Sequence, residues 1–211
     1  MYDLDGTLVD TLEDIAGGVL HALRALGAPP VTIPEIRLAV GRGVHDLIAQ
    51  CLKTADAQRV QEGVAAFRAH YAEHCLDRSR PYPGTQELLA HFRGRHQAVI
   101  TNKPDPFAHR ILDALGLAGH FVQIIAGGSA YPHKPDPAAL QAVMRAVGAA
   151  PPETLVVGDS VIDVQMGRRA GAATAVVLHG LGTEAELRTA APDVLVADFA
   201  ELLMLARQRK W

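Results

Sequence analysis

Aromatic side chains are scarce: Phe, Trp and Tyr together make up 5% of the 211 residues. A core with so few rings must rest mainly on Ala, Leu and Val. Cysteine is nearly missing, with Cys51 and Cys75 the only two. Two thiols do not make a disulfide framework, and they suit a reducing compartment. Neither charge sign dominates, since 20 Lys and Arg face 23 Asp and Glu for a net charge of −3. That balance leaves no global basic field for nucleic acid or anionic lipid. No uninterrupted apolar run has the length of a membrane span. The first residues show neither the basic nor the apolar region of a signal peptide. What is present is 49% apolar and 20% charged residues, the composition of a globular chain rather than a disordered one. The expectation is a cytoplasmic protein of one large domain, or one domain with a small second one.

The chain has two textures. From about Thr11 to Asp77 every pattern is helical. Thr11 followed by Asp14 resembles a capping box, with Asp in place of the usual Glu or Gln. Leu12, Ile15, Val19, Leu20, Leu23 and Leu26 then recur at helical spacing until Gly27 and Pro29-Pro30. A second helix is expected after Pro34. Gly41-Arg42-Gly43 interrupts it, and a third starts at Val44. Val60, Val64, Phe67 and Tyr71 mark one face of a longer fourth helix. From Tyr82 onward, short continuously apolar strands alternate with helices of about ten residues. The strands are expected at 97–101, 121–126, 154–158, 175–178 and 194–196. Such alternation indicates βαβ units and a parallel sheet covered on both faces. The predicted architecture is therefore α/β, a Rossmann-like parallel-sheet core formed by residues 1–10 and 81–211. An all-helical insertion occupies residues 11–80.

Polar residues gather where the apolar runs end. In an open parallel sheet, ligands bind at the carboxyl ends of the strands. Asp3, Asp5, Gly6 and Thr7 follow Met1-Tyr2. Thr101, Asn102 and Lys103 follow Ala98-Val99-Ile100. Lys134 follows the strand that ends near Ala126. Gly158, Asp159, Ser160 and Asp163 follow Leu155-Val156-Val157. Several carboxylates on one rim repel one another unless a cation is shared among them. Mg²⁺ fits, because it takes hard oxygen ligands and is commonly held by one or two carboxylates plus substrate phosphate. Asp3, the backbone carbonyl of Asp5, and Asp159 are the expected ligands. Thr101, Asn102 and Lys134 would turn their hydrogen-bond donors to phosphate oxygens. One carboxylate could then attack phosphorus and a second, two residues away, could move the proton.

These four segments closely resemble the haloacid dehalogenase superfamily of phosphohydrolases. Asp3-Leu4-Asp5-Gly6-Thr7 matches its DxDGT motif, the most specific signal in the chain. By that resemblance Asp3 is the nucleophile and Asp5 the general acid and base. Thr101 and Lys134 stand at the second and third motifs. Gly158-Asp159-Ser160-Val161-Ile162-Asp163 matches the GDSxxD form of the fourth, whose acidic residues bind Mg²⁺. The helical segment lies where the superfamily inserts a helical cap, which implies hinges near Asp10 and Arg80-Pro81. Thr101-Asn102-Lys103-Pro104, Gly127-Gly128 and His133-Lys134-Pro135-Asp136-Pro137 look more narrowly like phosphoglycolate phosphatases. Gly41-Arg42-Gly43 does too, at a loop that reads the substrate. The resemblance implies Mg²⁺-dependent hydrolysis of a small phosphorylated metabolite such as 2-phosphoglycolate through an aspartyl-phosphate. From the even charge and the lack of a span, no nucleic-acid or membrane partner is expected, and the chain is expected as a monomer or homodimer. Rival readings are a β-phosphoglucomutase-like isomerase, a phosphatase for sugar phosphates, nucleotides or pyrophosphate, and a silent binding module.

Several residues stay open at this level. Asp163 either ligates the metal through water or orients Ser160 or Lys134. Arg42 either holds a substrate carboxylate or covers the surface, and Lys103 is similarly undecided. His70 and His74 lie four apart, but a solvated helix face explains them better than a metal site. His133 and His179 fall near the rim. Cys51 and Cys75 are expected as thiols of the helical segment. Only Met1 and Tyr2 precede Asp3, whereas a central strand usually has about five or six residues. The first core strand therefore reads as truncated, with a reading frame expected to continue upstream through apolar codons.

Overall fold

The chain is described here by a computed structural model covering residues 1–209. The last two positions of the expected core, 210 and 211, lie outside the described residues.

The helical segment forms four helices: α1 (Leu12–Ala25), α2 (Ile33–Ala39), α3 (Val44–Leu52) and α4 (Ala57–His74). Ile15, Val19, Ala22 and Leu23 of α1 are buried, as are Val60, Phe67 and Tyr71 of α4. Their spacing puts each set on one stripe, and burying the two stripes against each other removes both from water. Val64, expected on the α4 stripe, is only half-buried. Helix α2 begins at Ile33, ahead of the expected start. Thr32 and Glu35 cap it reciprocally, Thr32 N–H donating to Glu35 Oε2 (2.8 Å) and Glu35 N–H donating to Thr32 Oγ1 (3.4 Å). Pro34 therefore sits inside the first turn, where its missing N–H costs nothing.

The anticipated capping box at Thr11 and Asp14 does not form. Thr11 precedes α1 but makes no side-chain cap. Asp14 instead faces the returning chain, accepting from Arg78 N–H (3.0 Å), Ser79 N–H (2.8 Å) and Ser79 Oγ (2.7 Å). Those donors lie just before β2 (Arg80–Pro81), which pairs antiparallel with β1 (Val9–Asp10). The two strands through which the chain leaves and re-enters the sheet thus form one short ribbon. The expected hinge positions, Asp10 and Arg80-Pro81, lie in it.

After α5 (Thr85–His91), strands and helices alternate: β3 (Ala98–Pro104), α6 (Phe107–Ala114), β4 (Gln123–Gly127), α7 (Ala138–Val147), β5 (Leu155–Gly158), α8 (Val161–Ala170), β6 (Ala173–Val177), α9 (Glu184–Ala190), β7 (Val194–Val196) and α10 (Phe199–Arg209). β4 pairs parallel with β3, and β5, β6 and β7 pair parallel in that order. Residues 1–3 join the two halves. Tyr2 N–H donates to Ala98 O (2.9 Å) and Tyr2 O accepts from Ile100 N–H (2.9 Å). On the other side Asp3 N–H donates to Val157 O (3.0 Å) and Met1 O accepts from Val157 N–H (2.8 Å). The spatial order is β4-β3-(residues 1–3)-β5-β6-β7. Leu4, Val99, Val156, Val157 and Val177 are buried in it, as the continuously apolar runs require. Three loops that follow strands therefore open at one rim: residues 3–7, the end of β3, and Asp159 onward. Among the described residues, no helix is long and apolar enough to cross a membrane.

Replacing Asp14 by Ala strands the N–H and hydroxyl of buried Ser79 and frees the partly buried N–H of Arg78, and each lost bond to a charged group is worth about 1.5–3 kcal/mol. The expected result is a loss of about 3 kcal/mol in chemical denaturation and a midpoint lower by roughly 6–12 °C. A variant within about 0.5 kcal/mol of wild type would show that the ribbon is held by other contacts.

Candidate active site

Burial forces the side chains at the rim into pairs. Asp3 Oδ1 accepts from Leu4 N–H (2.7 Å) and from Lys134 Nζ (2.7 Å). The same ammonium donates to Asp163 Oδ1 (2.8 Å). Asp163 Oδ2 accepts from Ser160 N–H (3.2 Å) and from Ser160 Oγ. Asp159 Oδ1 accepts from Thr7 Oγ1 (2.6 Å), and its Oδ2 from Leu181 N–H (2.7 Å). Asp163 thus contacts both Ser160 and Lys134.

Two glycines make room for Asp159. Gly6 has φ +81°, and a Cβ there would lie 2.2 Å from Asp159 Oδ2. A Cβ on Gly180 would lie 2.3 Å from Asp159 Cβ. Only a residue without a side chain fits at either place.

Oxygens of Asp3, Asp159 and Asp163 lie within 4.8 Å of one another, the sole such ligand cluster among the described residues. The pair His70 and His74 is not part of one; their rings lie 4.3 Å apart, tilted by 43°, with the His21 ring 4.5 Å from His70. Three carboxylates against one ammonium leave two formal negative charges in a buried place. Burial first, then repulsion from Asp3 and Asp163, pushes Asp159 up to about 8. Burial also lifts Asp3 to about 6, although Lys134 pulls the other way. Burial alone would lower Lys134, but Asp163 and Asp3 outweigh it and hold the amine above its ordinary value. An all-oxygen donor set carrying this excess charge fits a hard divalent cation.

Asp5 stands beside that cluster with a lysine of its own. Its Oδ1 accepts from Lys103 Nζ (2.9 Å) and from Thr11 Oγ1 (2.7 Å). Lys103 also donates to Tyr71 OH (2.8 Å), from helix α4. The strand explains this placement. β3 runs on to Pro104, beyond the expected end at Thr101, and its pairing with β4 is irregular between Ile100 and Pro104. Alternation along it sends Thr101 and Lys103 to one side and Asn102 to the other. Thr101 Oγ1 accepts from Lys103 N–H (3.1 Å), so its own O–H is still free to donate.

Asn102 corrects an expectation. Its amide does not offer donors to a phosphate. Nδ2 donates to Gly41 O (2.9 Å) and Lys134 O (3.1 Å), while Oδ1 accepts from Lys134 N–H (2.8 Å). Asn102 therefore ties the loop after α2 to the backbone that presents Lys134. Arg37 makes a second tie, from α2 to the carbonyls of Leu181 (2.9 Å) and Gly180. A cavity of about 220 Å³ lies between the helical layer and the rim, lined by Asp3, Asp5, Thr101, Lys103, Tyr71 and Asp159. Val44, Leu47, Phe67 and Phe107 supply apolar wall. Arg42 borders it, exposed, with no hydrogen bond or ion pair among the described residues. His133 packs against the loop, its Cε1 being 3.0 Å from where a Gly43 Cβ would stand. His179 Nε2–H donates to Thr7 O (3.2 Å), and the ring stacks on Tyr82. Cys51 and Cys75 are both free and buried.

Tyr71 and Arg37 escaped the sequence reading. Tyr71 looked like one more apolar position on the α4 stripe. Its hydroxyl among Val60, Val64 and Phe67 was the available signal. Nothing in the order of residues marks Arg37 as facing residues 180 and 181.

A family model described as haloacid dehalogenase-like hydrolase matches residues 1–177. A phosphoglycolate phosphatase of Pseudomonas putida is 35% identical over 96% of this chain and 77% of its own length. One from Aquifex aeolicus is 33% identical over 97% of this chain and 94% of its own. Among solved structures, one described as a predicted phosphoglycolate phosphatase from Haemophilus somnus superposes with a TM-score of 0.90 at 29% identity, covering 97% of this chain and 96% of that one.

A carboxylate raised by burial binds protons in the folded state that it releases on unfolding. Metal-free stability should therefore fall as pH rises from the ordinary carboxylate range through about 6 and about 8, the values for Asp3 and Asp159. A divalent cation competes with those protons. Saturating Mg²⁺ is expected to raise the melting temperature over an EDTA-treated sample by about 5–10 °C at about pH 8.5, and by much less at about pH 5. An equal rise at both pH values would show that the ion binds elsewhere.

Proposed function

The chain belongs to the haloacid dehalogenase-like hydrolase family, and from that premise we propose that it is a Mg²⁺-dependent phosphatase acting on a small phosphomonoester, with 2-phosphoglycolate first in order. One observation carries this reading. Two aspartates two residues apart border the same cavity, and each is anchored through Oδ1 by its own buried lysine. In both, Oδ2 takes no hydrogen bond among the described residues.

Asp3 Oδ2 is then the attacking oxygen. It forms a bond to phosphorus as the ester oxygen departs, giving an aspartyl-phosphate. Asp5 gives its proton to the departing oxygen. It then takes one from the water that attacks the acyl phosphate, releasing phosphate and restoring Asp3. Lys134 offsets charge on Asp3, and the Thr101 hydroxyl donates to a phosphoryl oxygen. Asp3, Asp159 and the Asp5 carbonyl would hold the metal, with Asp163 close by. Bound Mg²⁺ supplies further neutralisation of phosphoryl charge. The helical layer acts as a cap, excluding bulk water and leaving room only for a small leaving group. The 33–35% identity to named phosphoglycolate phosphatases supports the choice of substrate.

Asp3→Asn is expected to lower phosphate release by about 10³-fold or more, and Asp5→Asn by about 10²–10⁴-fold. An unchanged rate in Asp3→Asn would sink the mechanism. In a steady-state panel of 2-phosphoglycolate, sugar phosphates, nucleotides and pyrophosphate, 2-phosphoglycolate should show the highest kcat/KM. A preference of more than about tenfold for another member would overturn the substrate assignment.

A further inference from the structure

Lys103 is a buried amine that neither the acidic cluster nor the nucleophile uses. Its side chain is 3% exposed, and its two hydrogen bonds go to opposite halves of the molecule. One reaches Asp5 on the rim of the sheet, and the other reaches Tyr71 on α4. Tyr71 is fixed on both sides. Its ring stacks on Phe67 of the same helix (5.0 Å) and meets Phe107 of α6 edge-on (5.1 Å). Phe107 belongs to the sheet side, so the phenol reaches Lys103 only with the helical layer seated there. Both contacts to Asp5, from Lys103 and Thr11, fall on Oδ1.

We propose that Tyr71 and Lys103 are positioning residues that fix the orientation of the Asp5 carboxyl, so that its Oδ2 meets the leaving oxygen when the helical layer is seated on the sheet. The inference rests on the phosphatase reading and adds to it two residues and a route from the cap to the acid. Removing the Tyr71 hydroxyl leaves Lys103 its bond to Asp5 but deprives it of a lateral stop. Removing the Lys103 amine leaves Asp5 held by Thr11 alone.

The test uses leaving groups of different need. An alkoxide leaves phosphorus with a proton, whereas p-nitrophenolate leaves without one. Because kcat/KM reports steps only through departure of the leaving group, it isolates the acid role of Asp5 from later water attack. For Lys103→Met, kcat/KM should fall about 10²-fold on both 2-phosphoglycolate and ethyl phosphate, and less than about threefold on p-nitrophenyl phosphate. Tyr71→Phe should show the same split at about five- to tenfold. An equal loss on all three substrates would overturn the proposal and mark both residues as merely structural. A loss confined to 2-phosphoglycolate would also overturn it, assigning Lys103 to the carboxylate of the substrate. If Lys103→Met does not fold, Tyr71→Phe, which deletes a single hydroxyl, decides between these outcomes. Failure of the phosphatase reading itself shows elsewhere, as wild-type protein that releases phosphate from none of the three or as full activity in Asp3→Asn.

Discussion

Lys134 bridging Asp3 and Asp163 is the contact on which the rest of the site depends. Carboxylates removed from water are costly unless charge and hydrogen bonds return what hydration gave. One ammonium cannot do that for three of them. The surrounding chain supplies neutral donors as well: Thr7 and Leu181 for Asp159, Ser160 for Asp163, Leu4 for Asp3. Even so, Asp3 and Asp159 are held above the ordinary carboxylate range by their burial. The local fold is thus arranged around a deficit of positive charge. Gly6 and Gly180 allow the backbone close enough to wrap it, and Asn102 fixes the backbone on which Lys134 stands.

The same logic separates what the sequence made legible from what it did not. The places where strands give way to the site were legible, because continuously apolar runs stop where polar residues begin, although β3 itself continues through Thr101, Asn102 and Lys103 to Pro104. Asp3, Asp5, Thr101, Lys134, Asp159 and Asp163 are consequently brought to one rim. The role of Asn102 was not legible, since an amide after a strand offers donors to phosphate and to backbone alike. Only the approach of Gly41 and Lys134 decides between them. Thr11 and Asp14 carry a local capping pattern that long-range partners override, with Asp5 taking the hydroxyl of one and residues 78 and 79 occupying the other. Tyr71 was hidden for a different reason. A phenol on an apolar stripe satisfies the helix pattern through its ring, and its hydroxyl matters only through a lysine 32 residues away.

The helical layer meets the sheet through few polar ties, and most of them touch a residue of the site. Asn102 holds Gly41, Arg37 holds the loop that also bonds Asp159, and Tyr71 holds Lys103. The ribbon of β1 and β2 adds the covalent connection, with Asp14 bracing it. One apolar cluster runs from the helical layer into the sheet side, and the shared hydrogen bonds add a coupling between seating the layer and assembling the charged groups.

The placement of Tyr2 has a consequence for how the molecule comes into being. Its backbone partners are Ala98, Ile100 and, through its neighbours, Val157. Asp3 leaves the ribosome well before the strands that flank it, which come about a hundred and a hundred and fifty residues later. Contacts so distant along the chain are slow to close. The four helices can pair while synthesis continues, since their contacts are near in sequence. The middle of the sheet can form only once β5 has emerged, and with it Asp159. Assembly of the charged centre is thus a late event, and the acidic residues it gathers stay hydrated until the fold that buries them is nearly whole.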